Sequence, residues 1–209
     1  MHPNRVLRDA GYLGVKVDLG LEYLDPGTCR AFSVSDHQIA HIYVRDRGDL
    51  GKIKDFLSDV EGVAYVLDRE AQGQSKWKID HERSGDLVCV AAPGFWFAYH
   101  YWLEEARRPD FATTVDIHQK PGYDPTELFL DPKLSFPKLK IAWTLLRKRL
   151  GFRYLMDVIG TDPSLVRGSH GRLLEDPDAG PVFLCSSKEG AADSVDALEV
   201  RDRILKLVR

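Results

Sequence analysis

The sequence has few of the features that mark special classes of protein. Its 209 residues include only three cysteines, Cys29, Cys89 and Cys185, which lie far apart and form no C-x-x-C pair. This spacing argues against a disulfide framework or a cysteine zinc site and favours a reducing compartment. Long apolar runs are also missing, since no stretch approaches the roughly 20 residues that a membrane-spanning helix needs.

A strong charge of one sign is absent as well. The 29 lysines and arginines nearly balance the 32 aspartates and glutamates, for a net charge of -3. No overall field therefore indicates a nucleic acid partner. The N-terminal residues carry no apolar core of the kind that a signal peptide has. We expect a cytoplasmic globular protein.

Three familiar active-site motifs are missing from the sequence. It contains no G-x-S-x-G elbow, no G-x-x-x-x-G-K-[ST] loop and no G-x-G-x-x-G fingerprint. No residue can be assigned as a catalytic nucleophile on this basis.

Hydrophobic periodicity predicts helices and strands along most of the chain. Residues 39–92 are predicted to form a β-α-β-β unit that packs its helix on one face of a sheet. The predicted elements are a helix over 3–13, a strand over 31–44, a helix over 49–60, strands over 63–67 and 86–91, a basic helix over 138–150, a buried strand over 182–185 and a closing helix over 195–208.

Two segments leave alternatives open. The aromatic run over 95–102 could stack a nucleic acid base, but core packing is the more common use of such residues. The basic helix over 138–150 could contact anionic lipid or a nucleic acid. The simpler interpretation of that helix is a solvated face with an apolar stripe.

Histidines supply the main candidates for chemistry. His170 lies between glycines in Gly168-Ser169-His170-Gly171, and glycines allow a tight loop to present a side chain. A neutral imidazole is the commonest nitrogen ligand for zinc. The alternative is a plain turn with a solvated histidine, and spacing alone does not decide between the two.

Asp36 and His37 place a carboxylate beside an imidazole. Neighbouring residues on a flat strand point to opposite faces, so the pair could share a metal only at a bend, a bulge or a strand end. His41 would lie on the same face as His37, about 13 Å along the strand at about 3.3 Å per residue. The alternative is a half-buried strand that carries polar residues.

A third cluster contains Asp116, His118 and Lys120. Residues two apart share a face in an extended chain, and the lysine ammonium suits a phosphate oxygen. The alternative is an ordered loop whose polar groups bind each other.

Taken in order, these elements resemble the C-terminal portion of the type I phosphodiesterase/nucleotide pyrophosphatase-like family of the alkaline phosphatase superfamily. The resemblance implies an α/β fold, the C-terminal part of an alkaline-phosphatase-like α/β sandwich with a small β-α-β-β insert. It divides the chain into a lead-in over 1–38, the insert over 39–92 and the C-terminal part of the core over 93–209. The residues that carry it are Pro93-Gly94, which is similar to a family turn, Gly168-Ser169-His170-Gly171, which is similar to the family's G-[ST]-H-G, and Gly180-Pro181-Val182-Phe183-Leu184, which is similar to the next core strand.

The resemblance also implies a metal site. In that family two divalent ions, often zinc, flank a threonine or serine nucleophile, and the histidine of G-[ST]-H-G is a ligand, so His170 is expected to bind metal. Asp36, His37 and His118 are further candidate ligands, and Lys120 is a candidate phosphate contact. Two ions, zinc or manganese, would clamp the attacking and leaving oxygens of an in-line displacement.

The sequence departs from the family pattern in two ways. The family's nucleophile segment lies N-terminal to everything matched here and is not found. The family's D-H-G appears as Asp36-His37-Gln38, without the glycine and close to the next strand. We therefore expect a fragment or split-gene product that is inactive alone and pairs with an N-terminal half or with itself.

The expected function is hydrolysis of a phosphodiester or nucleotide pyrophosphate, or of a related phosphonate, in a small-molecule substrate. The alternative is a non-catalytic α+β module for protein interaction or dimerisation. Bound metal discriminates between these two hypotheses.

Overall fold

The structure is a computed structural model that describes residues 1–74, 77–116, 120–188, 190 and 192–208. The chain divides into two compact units, Met1–Arg172 and Leu173–Arg209. No described helix is long and apolar enough to cross a membrane. The first unit contains the helices α1 (Pro3–Asp9), α2 (Leu50–Ser58), α3 (Arg69–Gly73) and α4 (Pro137–Arg149), and the strands β1 (Val15–Asp18), β2 (Leu21–Leu24), β3 (Ala31–Asp36), β4 (Ile39–Val44), β5 (Val63–Leu67) and β6 (Leu87–Ala91). The second unit contains α5 (Val200–Leu207).

The central sheet has the strand order β3-β4-β6-β5 and is antiparallel throughout, while β1 and β2 form a separate hairpin. The protein is therefore a mixed α/β structure with antiparallel sheets in its described part. Every residue of β6 is buried, and α2 buries Ile53 and Leu57. The predicted β-α-β-β unit over 39–92 is confirmed as β4, α2, β5 and β6, with the short helix α3 added.

The prediction of a single strand over 31–44 was wrong. The chain reverses at His37 and Gln38, and β3 pairs with β4 so that Asp36 lies opposite Ile39. His37 has a φ of 53°, in the left-handed region. The turn contains no glycine or asparagine, the residues that usually indicate a hairpin turn. The residues on both sides have a strand-like composition, so the sequence gives no signal for the turn. The turn also falls at the predicted segment boundary at residue 38.

The aromatic run over 95–102 packs in the core, as the simpler interpretation predicted. Its fully buried members are Phe97, Tyr99, Tyr101 and Trp102. The buried side chain of Asn4 joins α1 to this core. It donates hydrogen bonds to the carbonyls of Ser33 and Tyr99 at 2.9 and 3.2 Å, and it accepts one from the Ser33 N–H at 2.7 Å.

The predicted buried strand over 182–185 was wrong. These residues are irregular, and the side chains of Val182 and Leu184 are 80% and 89% exposed. A strand needs a neighbour to pair its backbone groups, and the described residues of the second unit include no strand. The closing helix is also shorter than predicted, because it begins at Val200 instead of residue 195.

Candidate metal centre

A cluster of side chains that could bind a metal lies at the tip of the β3–β4 hairpin. The rings of His37 and His170 lie 4.0 Å apart between centroids, with 33° between their planes. Asp36 precedes His37 and is exposed at the end of β3. The fold therefore brings together His37 and His170, two predicted ligands from distant parts of the chain, while Asp36 is the sequence neighbour of His37.

The loop over 168–171 is attached to the hairpin by its own backbone. The Gln38 N–H donates a hydrogen bond to the carbonyl of His170 at 3.0 Å. The Nδ1 of His37 lies 3.2 Å from the Oγ of Ser169, which leaves Nε2 for another partner. Gly171 has a φ of 115°, a conformation that other residues adopt only with strain. The glycine after His170 thus lets the loop turn back beside the hairpin.

A third segment also packs against the His37 ring. The ring of Tyr123 stacks on His37 with 5.2 Å between centroids and 26° between planes. The Tyr123 N–H donates to the Ser35 carbonyl at 2.9 Å. A Cβ on Gly122 would come within 2.0 Å of that same carbonyl oxygen. Only glycine therefore allows the chain to cross β3 here.

Sequence reasoning missed Tyr123 and Ser169 as contacts of His37. Tyr123 follows Pro121-Gly122, which is a turn signal, but no local pattern indicates that this turn crosses β3. Ser169 lies inside the predicted G-[ST]-H-G motif, at a position where both allowed residues, serine and threonine, carry a hydroxyl. Its position between Gly168 and the predicted ligand His170 was the available signal.

The surroundings keep His37 in its neutral form. Burial is the main cause that lowers its pKa below the ordinary value, and the neighbouring His170 lowers this pKa further. The Asp36 carboxylate opposes both effects. Neutral imidazole is the form that binds metal, so the local electrostatics suit a ligand.

These residues fit part of a metal site. Two imidazoles and an adjacent carboxylate are ligand types that zinc accepts, and zinc sites use three or four protein ligands. Within the described ranges, no three histidine, cysteine, aspartate or glutamate side chains converge so as to hold an ion. The two rings contact each other at a tilt of 33° and do not converge with a third ligand on one point in the described ranges. The fourth candidate ligand, His118, lies outside the described residues.

Lys120 lies in a different environment from the one predicted for it. Its side chain is buried, and its ammonium donates to the Thr114 carbonyl at 3.0 Å. It also pairs with the carboxylates of Asp124 and Glu127 at 3.4 and 2.5 Å. A phosphate could reach this ammonium only by displacing these partners. The geometry gives Lys120 a structural role and lends no support to its predicted phosphate contact.

Comparison with known proteins finds a family match and similar solved structures. The family model described as type I phosphodiesterase / nucleotide pyrophosphatase matches residues 1–124, which include Asp36 and His37 but not His170. Two crystal structures of phosphonoacetate hydrolase from Sinorhizobium meliloti 1021, in complex with phosphonoformate and with phosphonoacetate, are similar at 22% identity and a TM-score of 0.33. Each match covers 52% of this chain and 24% of the hydrolase chain, so this chain spans about a quarter of their length. No curated protein matches.

Proposed function

The chain belongs to the type I phosphodiesterase and nucleotide pyrophosphatase family, and we propose that it forms part of the active site of a metal-dependent phosphodiester or nucleotide-pyrophosphate hydrolase. The observation that carries this proposal is the contact between His37 and His170. It joins an Asp-His pair inside the family match to the Gly-Ser-His-Gly loop beyond it. Local sequence does not require that contact, because the two segments are distant along the chain.

In this proposal His170, His37 and Asp36 hold a divalent ion, zinc or manganese. Such an ion, when bound, would polarise a phosphoryl oxygen and lower the pKa of an attacking hydroxyl. His37 is oriented by Ser169 and by the ring of Tyr123. Burial lowers the pKa of His37 and so favours the neutral imidazole that a cation binds.

The proposed substrate is a small phosphate ester or nucleotide, with a phosphonate as the related class. The remaining metal ligands and the nucleophile are proposed to come from an N-terminal half that is outside this chain, so turnover requires both parts. Neither Lys120 nor its carboxylate partners contact substrate in this scheme, because the ammonium already pairs with both carboxylates.

Zinc binding by the tag-free chain tests this proposal. Isothermal titration with ZnCl₂ should show a site that His37→Ala and His170→Ala each weaken by about tenfold or more, since each removes a ligand. His81→Ala is the matched control, because His81 is exposed and lies far from the hairpin tip in the fold's β5–β6 connection. Its zinc affinity should equal that of the unaltered chain.

Turnover provides the second measurement. The chain should be combined with a family N-terminal half, and hydrolysis of bis(p-nitrophenyl) phosphate should depend on added zinc or manganese and on His170. Equal zinc affinity in all variants, or no zinc binding at all, would contradict the metal assignment. That outcome would favour the alternative, a non-catalytic module for protein interaction or dimerisation.

A further inference from the structure

Helix α4 turns its most apolar side away from the rest of its unit. The side chain of Thr144 is buried, and Lys140 pairs with Asp157 at 3.0 Å, so this face lies against the chain. The opposite face carries four exposed apolar side chains, which we call the α4 stripe. Its members and their exposed fractions are Leu139 (70%), Trp143 (60%), Leu146 (46%) and Leu150 (63%).

The stripe is continuous along the helix. Its members are spaced four, three and four residues apart, which at about 100° per residue confines them to roughly 60° of the helix surface. Phe136 before the helix and Phe152 after it are also exposed, at 74% and 60%. An amphipathic helix normally buries such a face in its own core, so this arrangement indicates an external partner.

The charge around the stripe is of one sign. Residues 132–156 contain seven of the 29 lysines and arginines of the chain and none of its 32 aspartates and glutamates. Helical spacing places Lys138 and Arg149 on one side of the stripe and Arg147 on the other. Long basic side chains in such positions lay their stems along an apolar surface and extend their charges outward.

We propose that the α4 stripe docks on an anionic lipid bilayer, with the helix lying in the plane of the membrane surface. A bilayer offers apolar depth for the stripe and negative headgroups for the flanking cations. Phe136 and Phe152 add exposed rings before and after the helix, and phenylalanine is common on the apolar side of helices that lie in this interface. At 13 residues, α4 is too short to span the apolar layer.

Other partners account for less of this surface. A nucleic acid provides phosphates for the cations but no apolar surface for a stripe of three leucines and a tryptophan. A groove on a protein would cover the stripe, but it does not require basic residues on both sides and a long segment without acidic ones. The proposal is independent of the hydrolase function, because it uses no residue of the hairpin-tip site.

Co-sedimentation with lipid vesicles tests the proposal. Vesicles of phosphatidylcholine should be compared with vesicles that also contain about 30% phosphatidylglycerol. We expect binding to the anionic vesicles to be at least about tenfold stronger, and to weaken as salt concentration rises.

Two double variants separate the apolar and charged contributions. Leu139→Ser with Leu146→Ser removes half of the stripe, and Lys138→Glu with Arg149→Glu reverses two flanking charges. Each should weaken binding to anionic vesicles by about tenfold or more. The controls are Leu19→Ser, at a side chain 96% exposed between β1 and β2, and Lys52→Glu, at an exposed position of α2. Both controls should bind like the unaltered chain.

Three results would overturn the proposal. The first is no preference for anionic vesicles, and the second is equal weakening by the controls. The third is vesicle binding that the variants leave unaltered. In that case the stripe variant would change only the molecular mass measured by light scattering, or the charge variant would change only RNA binding. That third result would assign the surface to a second copy of the chain or to a nucleic acid. Circular dichroism of each variant establishes that the helices are retained.

Discussion

Two pairs of histidines lie in contact among the described residues, and of these two the pair at the hairpin tip resembles a site. The rings of His2 and His100 stack at 4.9 Å with 17° between their planes. His100 is 1% exposed and also stacks on the ring of Trp102. His37 and His170 lie closer together, at 4.0 Å, but at the edge of the fold.

The electrostatic surroundings of the two pairs differ more than their distances do. Burial lowers the pKa of His2 to about 3, and it lowers the pKa of His100 well below the ordinary value, with nearby Arg5 adding to both effects. A carboxylate opposes the lowering in each pair, Glu105 for His2 and Asp36 for His37. The two pairs therefore differ in exposure, and proximity of two imidazoles indicates a cation site only where a cation can reach the ring nitrogens.

The largest expected difference between the pairs is in stability. His100→Ala should reduce the free energy of unfolding by about 2–4 kcal/mol, because it leaves a cavity beside Trp102. His170→Ala should cost less than about 0.5 kcal/mol, because His170 is exposed. Urea unfolding at pH 7.5 measures both values. Equal losses would show that the hairpin-tip pair is also a packing feature.

The second expected difference is in the pH dependence of stability. The pKa of His100 is lower in the folded state than its ordinary value of 6.5, so the unfolded chain takes up the proton first as pH falls. The stability that comes from neutral His100 is fully present above about pH 6.5 and is lost as the pH falls below that value. His100→Phe should lack this loss.

Comparing urea unfolding at pH 7 and pH 5 in the two proteins cancels the titrating groups that do not interact with His100. The measured quantity is the difference between the two pH-dependent changes in unfolding free energy. If His100→Phe loses as much stability as the unaltered chain, the buried ring is not held neutral. His170→Phe provides the matched substitution at the exposed pair.

Much of the sheet could be predicted from the sequence, because its signals are local. The periodicity of α2 and the β-branched residues of β5 and β6 give those elements directly. The hairpin turn was missed because His37 adopts a left-handed φ without glycine. The buried strand over 182–185 was predicted wrongly because a strand depends on a partner, which a local pattern does not contain.

The site could be predicted in composition but not in arrangement. The sequence indicated His170, His37 and Asp36 separately, yet their proximity depends on the Gln38–His170 backbone hydrogen bond. For Lys120, the residue type suggested a role that the packing does not support. A lysine suits a phosphate, but the fold places the carboxylates of Asp124 and Glu127 against its ammonium. Burial and pairing of a charged group are properties of the fold, so a residue's type alone does not assign its role.

The smallest expected effect concerns the backbone that presents His37. A left-handed φ costs an alanine more than a glycine. The free energy of unfolding of His37→Gly should therefore be about 0.5–1 kcal/mol larger than that of His37→Ala. Both variants lack the imidazole and its contacts with Tyr123 and Ser169, so their difference isolates the backbone. Urea unfolding of the two variants measures it.

Gln38 supplies the control, because it is the other turn residue and does not have a positive φ. At that position alanine should be as stable as glycine or more stable, since glycine loses more conformational freedom on folding. If alanine is at least as stable as glycine at both positions, the turn does not impose the left-handed conformation on His37. If glycine is more stable than alanine at position 37 but not at position 38, the chain bears a backbone cost at the residue whose ring contacts His170. Strain of this kind persists where surrounding structure enforces it, and it is common at functional sites.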